Sequence, residues 1–351
     1  MIGVRRFCCC AVALLALLPA AGRAQSFYRL ESATVIPGAS PNWDYVAIDP
    51  DRSFLFIGRR QDGVQVYDIA ARKVIHRIEN SEGADGAVLV PEFDRGYSAN
   101  EDGSTTVFAL SSLKTITRTK FGDDADAAFY DPATKQIVLT QGDSKQLAFL
   151  DARTGKVTAK IKMASEKLEG TAADGKGLLF VAERDRNLVA RIDAAQHAVT
   201  AEWPIDRCEQ PTGLAMDRAQ RRLFVGCRGK APVLAVLDAD SGKTIAALDI
   251  GRGNDGVVYD PDAHRIYTSN GIDANLVIID QKTPDTYVLE EASTTRPGAR
   301  TMALDPKTKD VYMVTAEGAV DPTKPVNRSA SPFYPNTYFS DTFTVLTFAR
   351  R

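Results

Sequence analysis

One pattern recurs seven times along the 351 residues: an apolar run ending in Asp-Pro or a near equivalent, a polar turn, a run centred on an aromatic or bulky residue, then two further short runs. The first run of each copy ends at Asp49, Val90, Asp131, Asp174, Asp217, Asp260 and Asp305, so the steps are 41, 41, 43, 43, 43 and 45 residues. A repeat of roughly 40–45 residues holding four short strands is the mark of propeller blades. The spacing therefore predicts an all-β chain: a seven-bladed β-propeller with four-stranded antiparallel blades.

The first copy shows how each blade is written. Residues 44–49 (DYVAID) read as strand A, 53–58 (SFLFIG) as B, 64–68 (VQVYD) as C and 73–78 (KVIHRI) as D. Each run is β-branched or aromatic and bounded by Gly, Asp, Pro or Arg. A lone four-stranded sheet cannot bury both faces, so copies must pack side by side until the ring closes. The B strands carry Phe56, Tyr97, Val138, Phe180, Phe224, Tyr267 and Tyr312 at one register position, where packing between blades is expected. Asp68, Asp151, Asp193, Asp238 and Asp280 end the C strands, positions suited to bonding turn amides.

The seventh copy lacks a fourth strand before the chain ends. A strand over 27–36 (FYRLESATVI) can supply it, closing the ring by joining the N-terminal strand to the last blade. Closure removes exposed sheet edges.

Residues 1–24 carry Arg5 and Arg6, an apolar run from Phe7 to Leu18 and a small-residue stretch before Gln25, the layout of a secretory signal. The run is too short to span a bilayer. Residues 25–351 then form one propeller domain in a periplasmic or secreted protein, with 317–341 as a long insertion between strands B and C of blade 7. Cys8, Cys9 and Cys10 leave with the signal, and only Cys208 and Cys227 remain. In an oxidising compartment a disulfide is the simplest reading; a two-thiolate metal site and two free thiols are the rivals. Losing Arg5, Arg6 and Arg23 takes the formal charge from −2 to −5. That balance argues against a general nucleic-acid surface. A local basic patch from Arg59, Arg60, Arg184, Arg186, Arg228, Arg252 and Arg300 stays open.

The repeat itself resembles a known type. Asp131-Pro132, then 136–139 (QIVL), then 147–151 (LAFLD) followed by 154–157 (TGKV), with 238–244 (DADSGKT) and Asp305-Pro306-Lys307, is similar to the YVTN repeat of YncE-like bacterial β-propellers. The resemblance spans residues 27–350 and implies a seven-bladed exported propeller. It implies no particular reaction or substrate.

Function then turns on which side chains face the channel mouth. Five residues before each strand-A end stand Asp44, Asp85, Asp126, Glu169, Thr212, Asp255 and Arg300, five of them acidic. Carboxylates about 8 Å apart repel by roughly 2 kcal/mol per pair at an effective dielectric near 20. Such a ring calls for counter-charge: Arg300 is internal, and Ca²⁺ is the external candidate, with Asp44, Asp85, Asp126, Glu169 and Asp255 as its ligands. The structural alternative is that these acids bond turn amides. Ten residues beyond each strand-A end, nine in blade 4, a second set reads Arg59, Asn100, Gln141, Glu183, Cys227, Asn270 and Thr315, hydrogen-bonding types suited to a polar ligand. Trp43 offers a stacking face or a packing group.

His76, His197 and His264 fall on a D strand, a C-to-D turn and an A-to-B turn, away from the mouth, which disfavours a histidine metal site or a Ser-His-Asp triad. The insertion offers Phe333, Tyr334, Tyr338 and Phe339 to a lid or a partner, or is a surface elaboration. The function expected is that of an exported binding or scaffold propeller, probing a small polar ligand or another exported protein at the mouth, with no membrane span and as a monomer. A Ca²⁺-assisted hydrolase or lactonase on the same carboxylates is the alternative.

Overall fold

The structure, a computed structural model, describes residues 28–325 and 334–351. The predicted signal segment and Phe333 lie outside the described residues. Seven four-stranded antiparallel sheets form a β-propeller. Blade 1 is Val46–Asp49, Phe54–Gly58, Val64–Asp68 and Lys73–Arg77, within two residues of the expected bounds. Strand-A residues of all seven blades line one axial cavity. Strands B and C are buried almost throughout, and strand D alternates exposed and half-buried, as in Lys73–Arg77.

Seven separate apolar clusters of described residues fill the seven junctions between neighbouring blades. At the junction of blades 4 and 5, Phe180 and Val189 meet Leu223, Val225 and Ala235. At the closing junction, Tyr312 and Val345 meet Leu55, Ile57 and Tyr67. All seven B-strand residues of the expected register are buried in this way. Each large side chain so placed contributes about 1.5–3 kcal/mol, so stability is spread around the ring and not gathered in one core.

Blade 7 closes the ring as its missing strand requires. Tyr28–Val35 pairs antiparallel with Thr344–Arg350, outside Val311–Thr315 and Met302–Leu304. Tyr28 fastens this strand to the neighbouring blade 6, where its amide donates to Glu291 Oε1 at 2.9 Å and its hydroxyl lies 3.1 Å from that of Tyr267; the same hydroxyl donates to Lys309 O of blade 7 at 2.7 Å. Cys208 and Cys227 are joined by a disulfide with Cα atoms 5.3 Å apart. Among the described residues no helix is long and apolar enough to cross a membrane.

The C-strand aspartates behave as expected at four of five positions, where Asp68, Asp151, Asp193 and Asp238 accept turn amides. Asp280 does not. Its hairpin is longer, Asn275–Thr283 with Thr286–Thr294, so Asp280 lies within the strand and binds Arg265 and Lys282 at 2.8 Å each.

Candidate functional site

The channel mouth is built by a repeated irregularity. In blades 2 to 6 the pairing of strands A and B shifts register at the head of strand A, around Asp85, Asp126, Glu169, Thr212 and Asp255. A bulge leaves one or two residues unpaired and re-aims their side chains. The next residue is small at each bulge: Gly86, Ala127, Gly170, Gly213 and Gly256. The glycines have a steric cause. A Cβ on Gly170 would stand 2.3 Å from Thr212 O, and one on Gly86 would stand 2.8 Å from the Cβ of Tyr45.

Asp44, Asp126, Glu169, Asp255 and Arg300 line a single cavity of about 280 Å³ at this mouth. The other two predicted ring positions do not enter its wall. Thr212 is fully buried and donates its hydroxyl to Gln210 O. Asp85 is fully buried and lies against the guanidinium of Arg60.

The acids are not left to repel one another. Arg60 binds Asp85 and, at 2.9 Å, Asp44; Arg300 reaches Asp44 at 3.7 Å and Asp255 at 2.8 Å; Arg228 binds Asp255 at 2.9 Å. These contacts form a continuous alternation of charge from blade 2 through blades 1, 7 and 6 to blade 5. In blade 4, Arg184 binds Glu169 at 2.6 Å. Blade 3 is the exception: Asp126 has no ion-pair partner among the described residues and accepts a hydrogen bond only from the Tyr45 hydroxyl, at 3.3 Å.

Burial pushes the carboxyl groups of Asp44, Asp85 and Asp126 above their ordinary range, with Arg300 and Arg60 pulling back at the first two. At Asp126 the neighbouring Glu169 adds to the rise. Glu169 is pushed up to about 7, burial outweighing Arg184. Tyr45 is held far above its usual range by burial and then by Asp126, so it stays a hydrogen-bond donor.

Tyr45 was not foreseen, and it gives the cavity a floor. At its position the other blades carry Gly86, Ala127, Gly170, Gly213, Gly256 and Thr301, and these line a second cavity of about 230 Å³ along the axis. Tyr45 and Asp255 border both cavities, and the Tyr45 side chain reaches across from blade 1 to Asp126 of blade 3 between them. The signal was in the sequence: one large side chain in a column of small ones.

The second predicted set requires correction. Arg59, Asn100, Gln141, Glu183, Cys227, Asn270 and Thr315 are all buried, and none lines the mouth cavity. Arg59 donates to Gln65 Oε1 and Ser40 O beneath the Phe343 ring. Asn100 donates to Ser104 and Thr106, Gln141 to Gly103 O, Asn270 to Asn275, and Thr315 to Pro297 O, while Glu183 accepts from Arg186. These residues end the B strands, and side chains alternate along a strand. In blades 1, 3, 4 and 5 the following residue lines the mouth instead, which brings in Arg60, Gly142, Arg184 and Arg228. Of the basic residues considered, Arg60, Arg184, Arg228 and Arg300 share the cavity. Arg59, Arg186 and Arg252 do not.

The five acids do not gather as a metal cage. Among the described residues no three His, Cys, Asp or Glu side chains are arranged to hold an ion. Guanidinium groups stand between Asp44, Asp85 and Asp255 and occupy the oxygens a Ca²⁺ would take.

The histidines lie where expected. His76 contacts Leu113 O, His197 packs on Phe149 and His264 contacts Tyr259. Trp43 is a packing group, edge-on to Tyr338 at 4.9 Å and beneath the guanidinium of Arg300 at 5.2 Å. Through Trp43 the insertion reaches the site. Gly318–Ala319 pairs with Thr337–Tyr338, and Tyr338 backs the Trp43 ring that supports Arg300. Phe339 is exposed.

No family model matches the chain, and no curated protein matches it. Solved structures do. A chain of the mitotic checkpoint complex aligns with a TM-score of 0.72 and 13% identity, over 100% of this chain and 99% of that one. The WD40 repeats of RRP9 give 0.73 and 8%, over 93% and 100%. Hydrazine synthase of Kuenenia stuttgartiensis gives 0.70 and 16%, over 88% and 96%. At these identities the likeness is one of fold, and it agrees with the seven sheets: the chain is a seven-bladed β-propeller.

Proposed function

We propose that this protein is an exported propeller that binds a small polar ligand in the charged mouth of its channel. The observation that carries this reading is the floored cavity of about 280 Å³ whose wall alternates carboxylates and guanidiniums drawn from six of the seven blades. Groups taken from so many separate parts of the chain, held rigid by ion pairs, make a preformed recognition surface. Folding alone does not call for it, because paired buried charges give little net stability over apolar packing.

Export is supported by the signal-like leader, by the disulfide in a chain with no other cysteine beyond residue 10, and by the YVTN-type resemblance of the repeat. The fold warrants a binding role and no particular chemistry. The test is thermal melting of the purified exported chain against a panel of small polar metabolites, repeated on Arg228→Gln. A ligand that raises the melting temperature of the parent and not of Arg228→Gln supports the mouth as the site. Equal stabilisation of both places binding elsewhere and ends this reading.

A further inference from the structure

We propose that the ligand is a small zwitterion, of the size and type of a polar amino acid, with its ammonium group on Asp126 and its carboxylate on Arg184 and Arg228; this rests on the reading of the mouth as a binding site. The inference comes from what the charge network leaves unfinished. Around the ring each carboxylate of the cavity wall contributed by strand A meets a guanidinium, except Asp126 in blade 3. Its one partner, the Tyr45 hydroxyl, is neutral. With no cation paired to it and with Glu169, Asp44 and Asp255 adding to the burial that favours its neutral form, this carboxyl has a place for one positive charge, whose arrival favours ionisation.

On the two blades that follow, the balance is reversed. Arg184 spends one nitrogen on Glu169, and Arg228 spends one on Asp255. Each guanidinium carries five N–H donors in a planar fork, so each has donors left that no described protein atom accepts. Both side chains line the cavity that Asp126 lines. One pocket thus offers, on blade 3, the Asp126 carboxyl with Asp124 beside it, neither in an ion pair among the described residues, and on blades 4 and 5 two guanidiniums with unused donors, which matches a ligand carrying an ammonium and a carboxylate. A pure cation leaves the arginines unsatisfied, and a pure anion leaves Asp126 so.

Size and wall chemistry narrow the class. A cavity of about 280 Å³ lies below the usual range for drug-sized ligands and suits a molecule of roughly ten non-hydrogen atoms or fewer. Leu168 is the one aliphatic side chain in its wall, so the pocket gives no apolar surface to a large aliphatic side chain. Tyr45 lines the same cavity and its hydroxyl donates to Asp126, so an ammonium on that carboxyl lies close to an aromatic side chain.

Isothermal titration of the exported chain, dialysed free of small molecules, tests the assignment with five probes: glycine, L-serine and γ-aminobutyrate as zwitterions, ethylamine with the ammonium alone and acetate with the carboxylate alone. At least one zwitterion is expected to bind about tenfold or more tightly than either single-charge probe. Asp126→Asn is expected to weaken that zwitterion about tenfold or more, with the melting temperature held and with Asp123→Asn, on the exposed neighbouring turn, as an unchanged control. If ethylamine or acetate binds as tightly as every zwitterion, or if no zwitterion binds at millimolar concentration, the assignment is overturned while the mouth remains open to another polar ligand. If a zwitterion binds and both Asp126→Asn and Arg228→Gln leave its affinity unchanged, this inference and the proposed site fall together.

Discussion

Asp126 and Asp255 occupy equivalent ring positions and share one cavity, and the difference in their ion pairing makes them a useful comparison. Asp255 is 8% exposed and is clamped by Arg228 at 2.9 Å and Arg300 at 2.8 Å. Replacing it with Asn leaves two guanidiniums side by side without their shared anion. Breaking a buried ion pair from one side costs roughly 3–5 kcal/mol, and water in the cavity places this case at the lower end, about 3 kcal/mol. With an unfolding entropy of about 2.1 cal/mol/K per residue, a propeller of this length loses roughly 4–5 °C in melting temperature. Asp126 has no cation to orphan, and an Asn there still accepts from Tyr45 while relieving repulsion from Glu169, Asp44 and Asp255. Asp126→Asn is therefore expected to leave the melting temperature unchanged or raise it slightly. Differential scanning calorimetry of the two variants decides the matter, with circular dichroism to confirm native sheet content. Two shifts of the same sign and similar size would refute the charge network as drawn.

Three further expectations follow from other parts of the structure. Exchanging both Cys208 and Cys227 for Ser removes a link across 19 residues and lowers unfolding free energy by about 3 kcal/mol in denaturant titration, with no change in fold. Stability depends on pH through Glu169: its folded pKa, about 7, lies above the usual glutamate range, so its contribution is complete below the unfolded value near 4.5 and is lost as pH rises through 7. Unfolding free energy from this group falls by about 3 kcal/mol across that window, and Glu169→Gln removes this share of the decline while the raised Asp44, Asp85 and Asp126 keep theirs. Deleting the chain through Val35 strips blade 7 of its outer strand and exposes the edge of Thr344–Arg350, so light scattering after size-exclusion chromatography should show oligomers and aggregate in place of the parent species.

The architecture was legible because its causes are local and repeated. Strand ends at Asp49, Asp131 and Asp217 sit in turns where the side chain bonds amides two and three residues on, and the B-strand aromatics fall at one register in six copies, with Val138 in the remaining one. The absent fourth strand of blade 7 forced the N-terminal strand into place. The site was legible only in part. The acidic column was visible by counting back along strand A, and the small residue after Asp85, Asp126, Glu169 and Asp255 accompanies a bulge that blade 1, with Tyr45 after Asp44, lacks. The second column was misread by one residue: at the end of strand B the side chain of Arg59 turns between blades and that of Arg60 turns into the mouth, a parity set by pleating that counting alone does not fix. Ion pairing was hidden for a different reason. Asp44 and Arg300 stand 256 residues apart and meet only because the ring closes. Asp280 escaped its expected turn because the hairpin of blade 6 runs longer than its counterparts.

The most direct test of the charged mouth as a binding site is a crystal structure of the chain from residue 25 onward grown with the tightest of the five probes. The account predicts density for one small molecule above the Tyr45 ring, its amine within hydrogen-bonding distance of the Asp126 carboxylate and its carboxylate facing Arg184 and Arg228. A probe seated at the opposite end of the channel or on the 317–341 insertion, with the mouth holding only water, would contradict it.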